Sequence, residues 1–440
     1  MFLNLLLKEI IFPILVLVLV TSLQGCGLDG DDGSNDVSEE ANAESDCSKS
    51  SSDAPQCGDK TSISISAIAL GSGKTCALDK SGNGHCWGSG EYGELGNGQS
   101  GGGVSSKTPA AVTMPFGVTF LSISSGSGHI CALSKKGQPY CWGDNSKGQL
   151  GNGGSGVGIY SDIPVAVTMP AGVVFSVVTL GFSQTCALSG DGNAFCWGQD
   201  IYGAIGDGDG GDKSVVAVPT AVAMPQGVTF TTLSTGYSHT CALDPVGFAH
   251  CWGYGEDGQL GNGKSGVGVS ENIPVAVTMP EAVTFIAIEN GARYHTCGIK
   301  EGGIAYCWGG GKFGQLGNGN SESVNIPTPV TMPAGVTFSS ISLGYDHTCA
   351  LDAAGKAFCW GSNGSGQLGS DIGVGSKSPS SNIPTAVTMP IGVTFTAIAA
   401  GYSCTCALAS DDNTYCWGTG GSGQLGNGSA LPKSNPTVVK

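Results

Sequence analysis

The tripeptide Cys-Trp-Gly recurs seven times in this chain of 440 residues and contains every tryptophan of the protein. The tryptophans stand at positions 87, 142, 197, 252, 308, 360 and 417, so the successive gaps are 55, 55, 55, 56, 52 and 57 residues. A period this regular indicates a repeat protein, in which one supersecondary unit is copied and the copies bury their apolar faces against each other. The chain is therefore expected to fold as seven similar units.

Each unit has the pattern of four short strands. In the fourth copy, residues 240–243 and 248–253 flank Asp244-Pro-Val-Gly247, whose proline and glycine favour a tight turn between two hairpin strands. Residues 273–279 and 283–288 then predict a third and a fourth strand, the latter from its alternation of apolar residues. Four short strands per repeat are typical of a propeller blade. The sequence thus predicts an all-β fold, a seven-bladed β-propeller with blades of four antiparallel strands.

The repeat also resembles a known family. From Gly236 to Gly263 the residues GYSHTCAL, GFAHCWG and GQLGNG are similar to the repeat of the regulator of chromosome condensation family, and the likeness extends over residues 63–440. The resemblance implies a seven-bladed propeller and identifies the chain as a bacterial, exported, seven-repeat member. Fold alone does not define function, because one fold carries many different sites.

The two ends of the repeat region are complementary. The first repeat begins at Ile63 without the Pro-Val-Ala-Val-Thr-Met strand that precedes residues 283–288 in a complete copy, and the last repeat ends in Asn435-Pro-Thr-Val-Val439, which matches that strand. We therefore expect the C-terminal strand to close the ring by completing a blade built from both termini. Closure of this kind would leave fewer exposed strand edges.

The first 25 residues have the pattern of a lipoprotein signal peptide. Residues 1–20 are apolar, but their apolar core is shorter than a typical transmembrane helix. Directly after them, Leu23-Gln-Gly-Cys26 resembles the bacterial lipoprotein cleavage box. By that resemblance Cys26 carries the lipid, and Gly27 after it resembles outer-membrane sorting. The expected location is the bacterial cell envelope, lipid-anchored at the outer membrane or cell surface. The alternative is an ordinary signal peptide with an incidental cysteine.

Residues 26–62 have the composition of a disordered tether. They are rich in Asp, Glu and Ser and contain too little apolar surface to fold. A calcium site in residues 29–36 is the alternative. The whole chain has a formal net charge of −16, which argues against nucleic acid as a partner because phosphate binding needs Lys and Arg patches. Contact with the membrane is expected only through the lipid, and the propeller, residues 63–440, is expected to be monomeric.

Fourteen of the 18 cysteines form seven pairs ten residues apart, each straddling a predicted hairpin turn. Directly opposed residues on antiparallel strands lie within disulfide reach, and an exported protein meets an oxidising compartment. Buried free thiols or zinc are the alternatives. Cys47 and Cys57 share the spacing, whereas Cys404 is left over where other repeats have His239 or His347. The predicted disulfides are Cys76–Cys86, Cys131–Cys141, Cys186–Cys196, Cys241–Cys251, Cys297–Cys307, Cys349–Cys359 and Cys406–Cys416.

The sequence offers little catalytic chemistry. It has no His-Glu-x-x-His and no Gly-x-Ser-x-Gly, so we expect a non-enzyme with no cofactor and no bound metal. A histidine recurs before the first cysteine of several pairs, and we interpret it as a structural, hydrogen-bonded residue rather than a metal ligand. Asp207, Asp209 and Asp212 could offer oxygens to calcium, although a surface turn fits them better. The recurring histidines are His129, His239, His295 and His347.

A turn two residues before the histidine position is the expected binding surface, because the resembling family often uses it for contacts. It is aromatic in several repeats, so a propeller would gather these side chains on one face, where aromatics commonly serve as interface hot spots. We therefore expect a binding propeller with an unidentified protein partner. The alternatives are an extracellular enzyme with its site at the propeller mouth or a structural envelope protein; nucleotide exchange on a small GTPase is implied only by the family. In the fifth repeat this position is Arg293, with Tyr294 beside it, so the aromatic residues at or beside the turn position are Phe182, Tyr237, Tyr294, Tyr345 and Tyr402.

Overall fold

The computed structural model describes residues 63–209, 215–281, 283–370 and 379–440, which belong to one structural unit, Thr61–Lys440. The predicted signal peptide, the predicted lipid attachment at Cys26, the predicted tether and the possible partners Cys47 and Cys57 lie outside the described residues. Within those four ranges no helix is long and apolar enough to cross a membrane.

Seven separate four-stranded antiparallel sheets make up the described unit, and they form a seven-bladed propeller. Each sheet uses four strands that are consecutive in the sequence, so one repeat period corresponds to one blade. The sequence-based prediction of an all-β, seven-bladed propeller is confirmed.

The strands take equivalent places in every blade. The first strand lines the central channel: β1 (Ile65–Leu70), β5 (Phe120–Ser125), β9 (Phe175–Leu180), β13 (Thr232–Thr235), β17 (Phe285–Asn290), β21 (Phe338–Leu343) and β25 (Phe395–Ala400). The second strand starts at the histidine position: β2 (Lys74–Asp79), β6 (His129–Ser134), β10 (Gln184–Ser189), β14 (His239–Leu243), β18 (His295–Lys300), β22 (His347–Asp352) and β26 (Cys404–Ala409).

The third strand contains Cys-Trp-Gly: β3 (Gly84–Ser89), β7 (Pro139–Asp144), β11 (Ala194–Gln199), β15 (Ala249–Tyr254), β19 (Ala305–Gly309), β23 (Ala357–Ser362) and β27 (Thr414–Gly418). The fourth strand is the outer edge: β4 (Ser105–Ala111), β8 (Tyr160–Ala166), β12 (Val215–Ala221), β16 (Ser270–Ala276), β20 (Val324–Pro329), β24 (Ser380–Ala386) and β28 (Lys433–Val438). Each outer strand contains a proline, which an edge position tolerates because the missing N–H would face solvent.

The hairpin between the second and third strands brings the cysteines together. In the fourth blade Asp244 Oδ1 accepts the backbone N–H groups of Val246, Gly247 and Phe248 at 2.9–3.0 Å, which fixes the turn. This register sets Cys241 directly opposite Cys251. All seven predicted pairs are disulfides with Cα atoms 4.1 Å apart, which confirms the prediction.

Each tryptophan joins its own blade to the preceding one. Every indole is fully buried, and its Nε1–H donates a hydrogen bond of 2.9–3.2 Å to a main-chain carbonyl in the Gly-rich loop of the preceding blade. We call this contact the indole–carbonyl bond. The tryptophans are therefore part of the core between blades. The donor and acceptor residues are Trp87–Gln424, Trp142–Glu94, Trp197–Gln149, Trp252–Ala204, Trp308–Gln259, Trp360–Gln315 and Trp417–Gln367.

The expectation that one blade is built from both termini is wrong. Strands β1–β4 form the first blade and β25–β28 the seventh, so the C-terminal strand β28 completes a blade of its own segment. The outer strand of the first blade is β4, which lies after Trp87 and is not missing. The ring closes between blades, where Trp87 Nε1 and Thr75 Oγ1 both donate to the Gln424 carbonyl and Gly428 N–H donates to Lys107 O.

The recurring histidines belong to the same inter-blade network. His295 Nε2 lies 3.1 Å from Thr348 Oγ1 in the next blade, and that hydroxyl donates to the Gln315 carbonyl, which assigns the ring proton to Nε2. Burial lowers the pKa of His129, His239, His295 and His347 to about 3, so the rings stay neutral. Their structural, hydrogen-bonded role is confirmed.

Lys74 and Cys404 occupy the histidine position in two other blades. The Lys74 ammonium donates to the carbonyls of Gly126 and Ser127 in the second blade, and burial lowers its pKa to about 8 against the attraction of Glu94 and Asp144. Burial raises the pKa of the Cys404 thiol to about 12, so it is held protonated and unreactive. Both are substitutions at a structural position.

Substituting two glycines of one loop distinguishes the cost of left-handed backbone from the cost of crowding the indole. Gly151 and Gly153 both have positive φ, +66° and +86°, but an added Cβ on Gly151 would lie 2.6 Å from Trp197 Nε1, whereas on Gly153 it would meet nothing within 4 Å. We expect Gly153→Ala to cost about 1–2 kcal/mol for the left-handed backbone alone. Gly151→Ala should cost about 1–3 kcal/mol more from overpacking. Chemical denaturation of the two variants measures the difference, and equal losses would contradict the role of the indole–carbonyl bond.

The disulfides are testable by peptide mapping without reduction. Protein purified from its native compartment under alkylating conditions should yield seven linked peptides, each joining cysteines ten residues apart. Cys404, which is buried and unpaired, should be alkylated only after unfolding. Fourteen further alkylatable thiols in the unfolded, unreduced protein would overturn the pairing.

Candidate functional site

The predicted aromatic positions lie on one face of the propeller. Successive strands in a blade run in opposite directions, so the turns after the first strands and the loops after the third strands emerge on the same side. Phe182, Tyr237, Tyr294, Tyr345 and Tyr402 are all in the turns after first strands. The structure therefore brings the five residues of the predicted binding surface together around the channel mouth.

Five aromatic rings and one guanidinium form a nearly continuous chain, which we call the aromatic arc: Phe182, Tyr237, Tyr294, Arg293, Tyr345 and Tyr402. Ring centroids are 4.5 Å apart for Phe182 and Tyr237, and 5.8 Å apart for Tyr237 and Tyr294. Arg293 lies 5.2 Å from the Tyr294 centroid and 5.0 Å from that of Tyr345, whose ring is 3.9 Å from Tyr402. Aromatic and cation–π contacts of this kind fix the side chains in place before any partner binds.

The arc is accessible and it is asymmetric. Phe182 and Tyr402 at its two ends are 37% and 38% exposed, and the three tyrosines between them are half-buried. The equivalent positions in the first two blades are Ser72 and Ser127, so the aromatic surface extends over blades three to seven and stops there. The rings thus pack on one another and still present their edges to solvent.

Sequence reasoning placed Arg293 at the turn position but did not include it in the predicted binding surface, and it missed an outward branch of two tyrosines. Tyr254 lies 5.2 Å from Tyr294, and Tyr202 lies 4.9 Å from Tyr254. Tyr254 directly follows Cys-Trp-Gly in its repeat, and Tyr202 lies in the loop after the next such motif upstream, so neither shares the register of the arc. Their common signal is that Tyr254 ends a third strand and Tyr202 lies in the loop after one, and these ends and loops emerge on the same face.

The electrostatics of this face are acidic. Arg293 Nη1 binds Asp346 at 3.2 Å and 3.0 Å to its two oxygens, so the one cation inside the arc is already paired. Burial raises the pKa of Asp257 and of Asp346, while Arg293 lowers it for both. Tyr254 donates to Glu256 Oε2 at 3.1 Å. The carboxylates of Glu256 and Asp257 therefore give this part of the face a negative character.

The arc borders the mouth of a central cavity of about 270 Å³. Phe182 and Tyr402 line the cavity together with the last residues of the first strands from all seven blades. The ends of the strands are mostly small or apolar, so the channel walls are smooth. One charged side chain, Glu289 of β17, projects into the cavity among the described residues.

The other predicted ligand positions lie apart from the arc. Asp207 accepts the N–H of Asp209 at 3.1 Å, the arrangement of a surface turn, and Asp212 lies outside the described residues. Across the ranges that the structure describes, no group of three His, Cys, Asp or Glu side chains could hold a metal ion.

Comparison with known proteins agrees with this architecture. An RCC1-like domain model matches residues 175–440, and regulator of chromosome condensation (RCC1) repeat models match residues 120–149, 81–133 and 136–188. The human regulator of chromosome condensation is 32% identical over 359 residues, which cover 78% of this chain and 81% of that protein. The ultraviolet-B receptor UVR8 of Arabidopsis thaliana is 30% identical over 357 residues, covering 80% and 77%.

A repeat propeller with a preorganised aromatic face is thus the class of protein that fold and surface define. The chain belongs to the regulator of chromosome condensation (RCC1) repeat family. A crystal structure of yeast RCC1 bound to Kap60 has the same fold, with a TM-score of 0.70 and 22% identity over 92% of this chain and 91% of that one. The family and its relatives support a protein-binding propeller scaffold.

Proposed function

We propose that this protein is a lipid-anchored propeller of the bacterial cell envelope that binds a protein partner through the aromatic arc. The observation that carries the proposal is the packing of five aromatic rings and Arg293 into one exposed surface at the channel mouth. Tyrosines held by their neighbours lose little conformational entropy on binding, which is why such residues dominate interface energies.

The chemistry of the arc favours a basic partner. Arg293 is neutralised by Asp346, while Glu256 and Asp257 keep the surrounding surface acidic. A partner with Lys or Arg beside an apolar patch would complement both the rings and the carboxylates, and opposite charges would accelerate its association at low salt. Protein binding by a propeller of this fold has a precedent in yeast RCC1, which was crystallised with Kap60.

The arc is tested by a double substitution in the full chain. Tyr237→Ala with Tyr345→Ala removes two central rings, and we expect binding of a partner captured by cross-linking in the native envelope to weaken by at least about 2 kcal/mol, roughly 30-fold. Titration of the purified partner measures the change, and circular dichroism with thermal melting verifies the fold.

The matched control is Phe116→Ala with Phe248→Ala. Both rings are exposed, at 106% and 45%, and both lie on the opposite face, in a blade connection and a hairpin turn. The control pair should bind normally. If the arc variant folds and binds as tightly as the wild type, the arc is not the interface, and the loops at residues 154–162 and 370–382 become the next surfaces to test. If it unfolds, the rings are core.

Anchoring is tested at the other end of the chain. Cys26→Ser removes the sulfur of the predicted lipid attachment, so the protein should lose the mass of the acyl groups and leave the membrane fraction, or remain unprocessed. Cys47→Ser retains Cys26 and should stay lipidated. Mass spectrometry and membrane fractionation measure both, and unchanged mass and partition of the Cys26 variant would contradict the anchor.

A further inference from the structure

The central channel has a charged residue where the repeat otherwise has small ones. The next-to-last position of the first strand holds Ala69, Ser124, Thr179, Ser234, Ser342 and Ala399 in six blades and Glu289 in the fifth. Seven copies of one unit provide an internal comparison, and six of them show that the fold needs only a small side chain here. Glu289 is therefore not explained by packing.

The serines at this position bind the main chain of the next blade, which the side chain of Glu289 does not. Ser234 Oγ accepts the Asn290 N–H of the next blade at 2.9 Å, and Ser342 Oγ accepts the Ala400 N–H at 3.0 Å, so hydroxyls at this position connect neighbouring first strands. Glu289 instead extends into the cavity, where its Oε2 accepts from Ser234 Oγ at 3.1 Å. Its Oε1 has no hydrogen-bond partner among the described residues.

Glu289 is open to the cavity and yet enclosed by protein. The side chain is exposed to the water-accessible space of the channel, and the first strands of the seven blades surround that channel. Burial within this ring of protein raises the pKa of Glu289 to about 7, although the hydrogen bond from Ser234 acts to lower it. No cation among the described residues pairs with it. A carboxylate in such a place favours a ligand that brings positive charge and hydrogen-bond donors.

We infer that the channel is a binding site for a primary ammonium group on a flexible alkyl chain, with Glu289 as its counter-ion. The cavity of about 270 Å³ is slightly smaller than a drug-sized pocket, which suits one extended chain rather than a bulky ring system. Entry is from the face bordered by Ser72, Ser127, Phe182 and Tyr402. The ammonium would be a free small amine or the lysine of a protein, since both present the same chemistry.

Ionisation of Glu289 should control this binding. The neighbouring titratable groups on the strands packed against β17 are His239 on β14 and His295 on β18, which stay neutral, and Lys300, which pairs with Phe285 at the far end of β18. Strands β13 and β21 contribute no titratable side chain, and Arg293 in the following turn is paired with Asp346. With a pKa of about 7, Glu289 goes from mostly protonated at pH 6 to mostly ionised at pH 8, so affinity for an ammonium should rise about tenfold over that interval.

The test uses the full chain and butylammonium as the probe. Calorimetry or ligand-observed NMR should find saturable binding at pH 8, about tenfold weaker binding at pH 6, and none of neutral 1-butanol. Glu289→Gln should lose at least tenfold in affinity and become insensitive to pH. The matched control Glu301→Gln, in an exposed hairpin turn of the same blade, should bind as the wild type does.

A second variant, Glu289→Ser, controls for misfolding, because three other blades have serine at this position. It should fold normally and also lose binding. No saturable binding to the wild type, or equal binding by Glu289→Gln, overturns the inference. N-acetyl-lysine methylamide distinguishes the sources: binding at least as tight as butylammonium supports a lysine from a protein, and its exclusion supports a free amine. The result is independent of the aromatic arc, because Tyr237→Ala with Tyr345→Ala should leave butylammonium binding unchanged.

Discussion

The hydrogen bond from each tryptophan indole to a carbonyl of the preceding blade is the interaction on which the rest of the structure depends. An indole N–H buried without an acceptor would cost about 1–3 kcal/mol, so the tryptophan can be buried only if the neighbouring loop is in place. The loop must bring its backbone close to the ring, and the glycine at Gly151 and its equivalents permits that approach. The same bond joins the seventh blade to the first, so ring closure needs no shared blade.

Because the acceptor is a main-chain carbonyl, this network constrains few other side chains. Where the acceptor residue is Gln149, Glu94 or Ala204, the bond length changes little. The histidine position is similarly tolerant, since Lys74 reaches the next blade by its ammonium while Cys404 only fills space. The disulfide in each hairpin adds a covalent connection within the blade. Turns and channel-facing positions can therefore diverge without loss of the fold.

Much of the fold followed from spacing alone. The tryptophan period predicted the number of blades, and the ten-residue cysteine spacing predicted the disulfides, because both are local consequences of one hairpin register. The assignment of strands to blades at the two ends of the repeat region was not predictable in the same way. Residues 435–439 match an outer strand equally well whether that strand completes the first blade or the last. Only the pairing of β27 with β28 decides it. The gathering of the turn aromatics on one face was expected from symmetry, but the insertion of Arg293 between two rings depends on side-chain geometry that the sequence does not contain.

Several charged residues that depart from sevenfold symmetry lie on one face of the ring, and most of those beside the aromatic arc are acidic. Arg293 is the exception in sign, and Asp346 in the next blade neutralises it. Glu256 and Asp257 lie beside the arc, and Glu289 lies inside the channel that the arc borders. A cation that approached this face would meet the aromatic edges first and the Glu289 carboxylate at the end of its path. The cation would lose hydration water as it moved inward, and its attraction to the carboxylate would strengthen as the water was removed. The structural core requires none of these residues, and their placement on one side of the molecule supports the proposed binding of basic groups by this face.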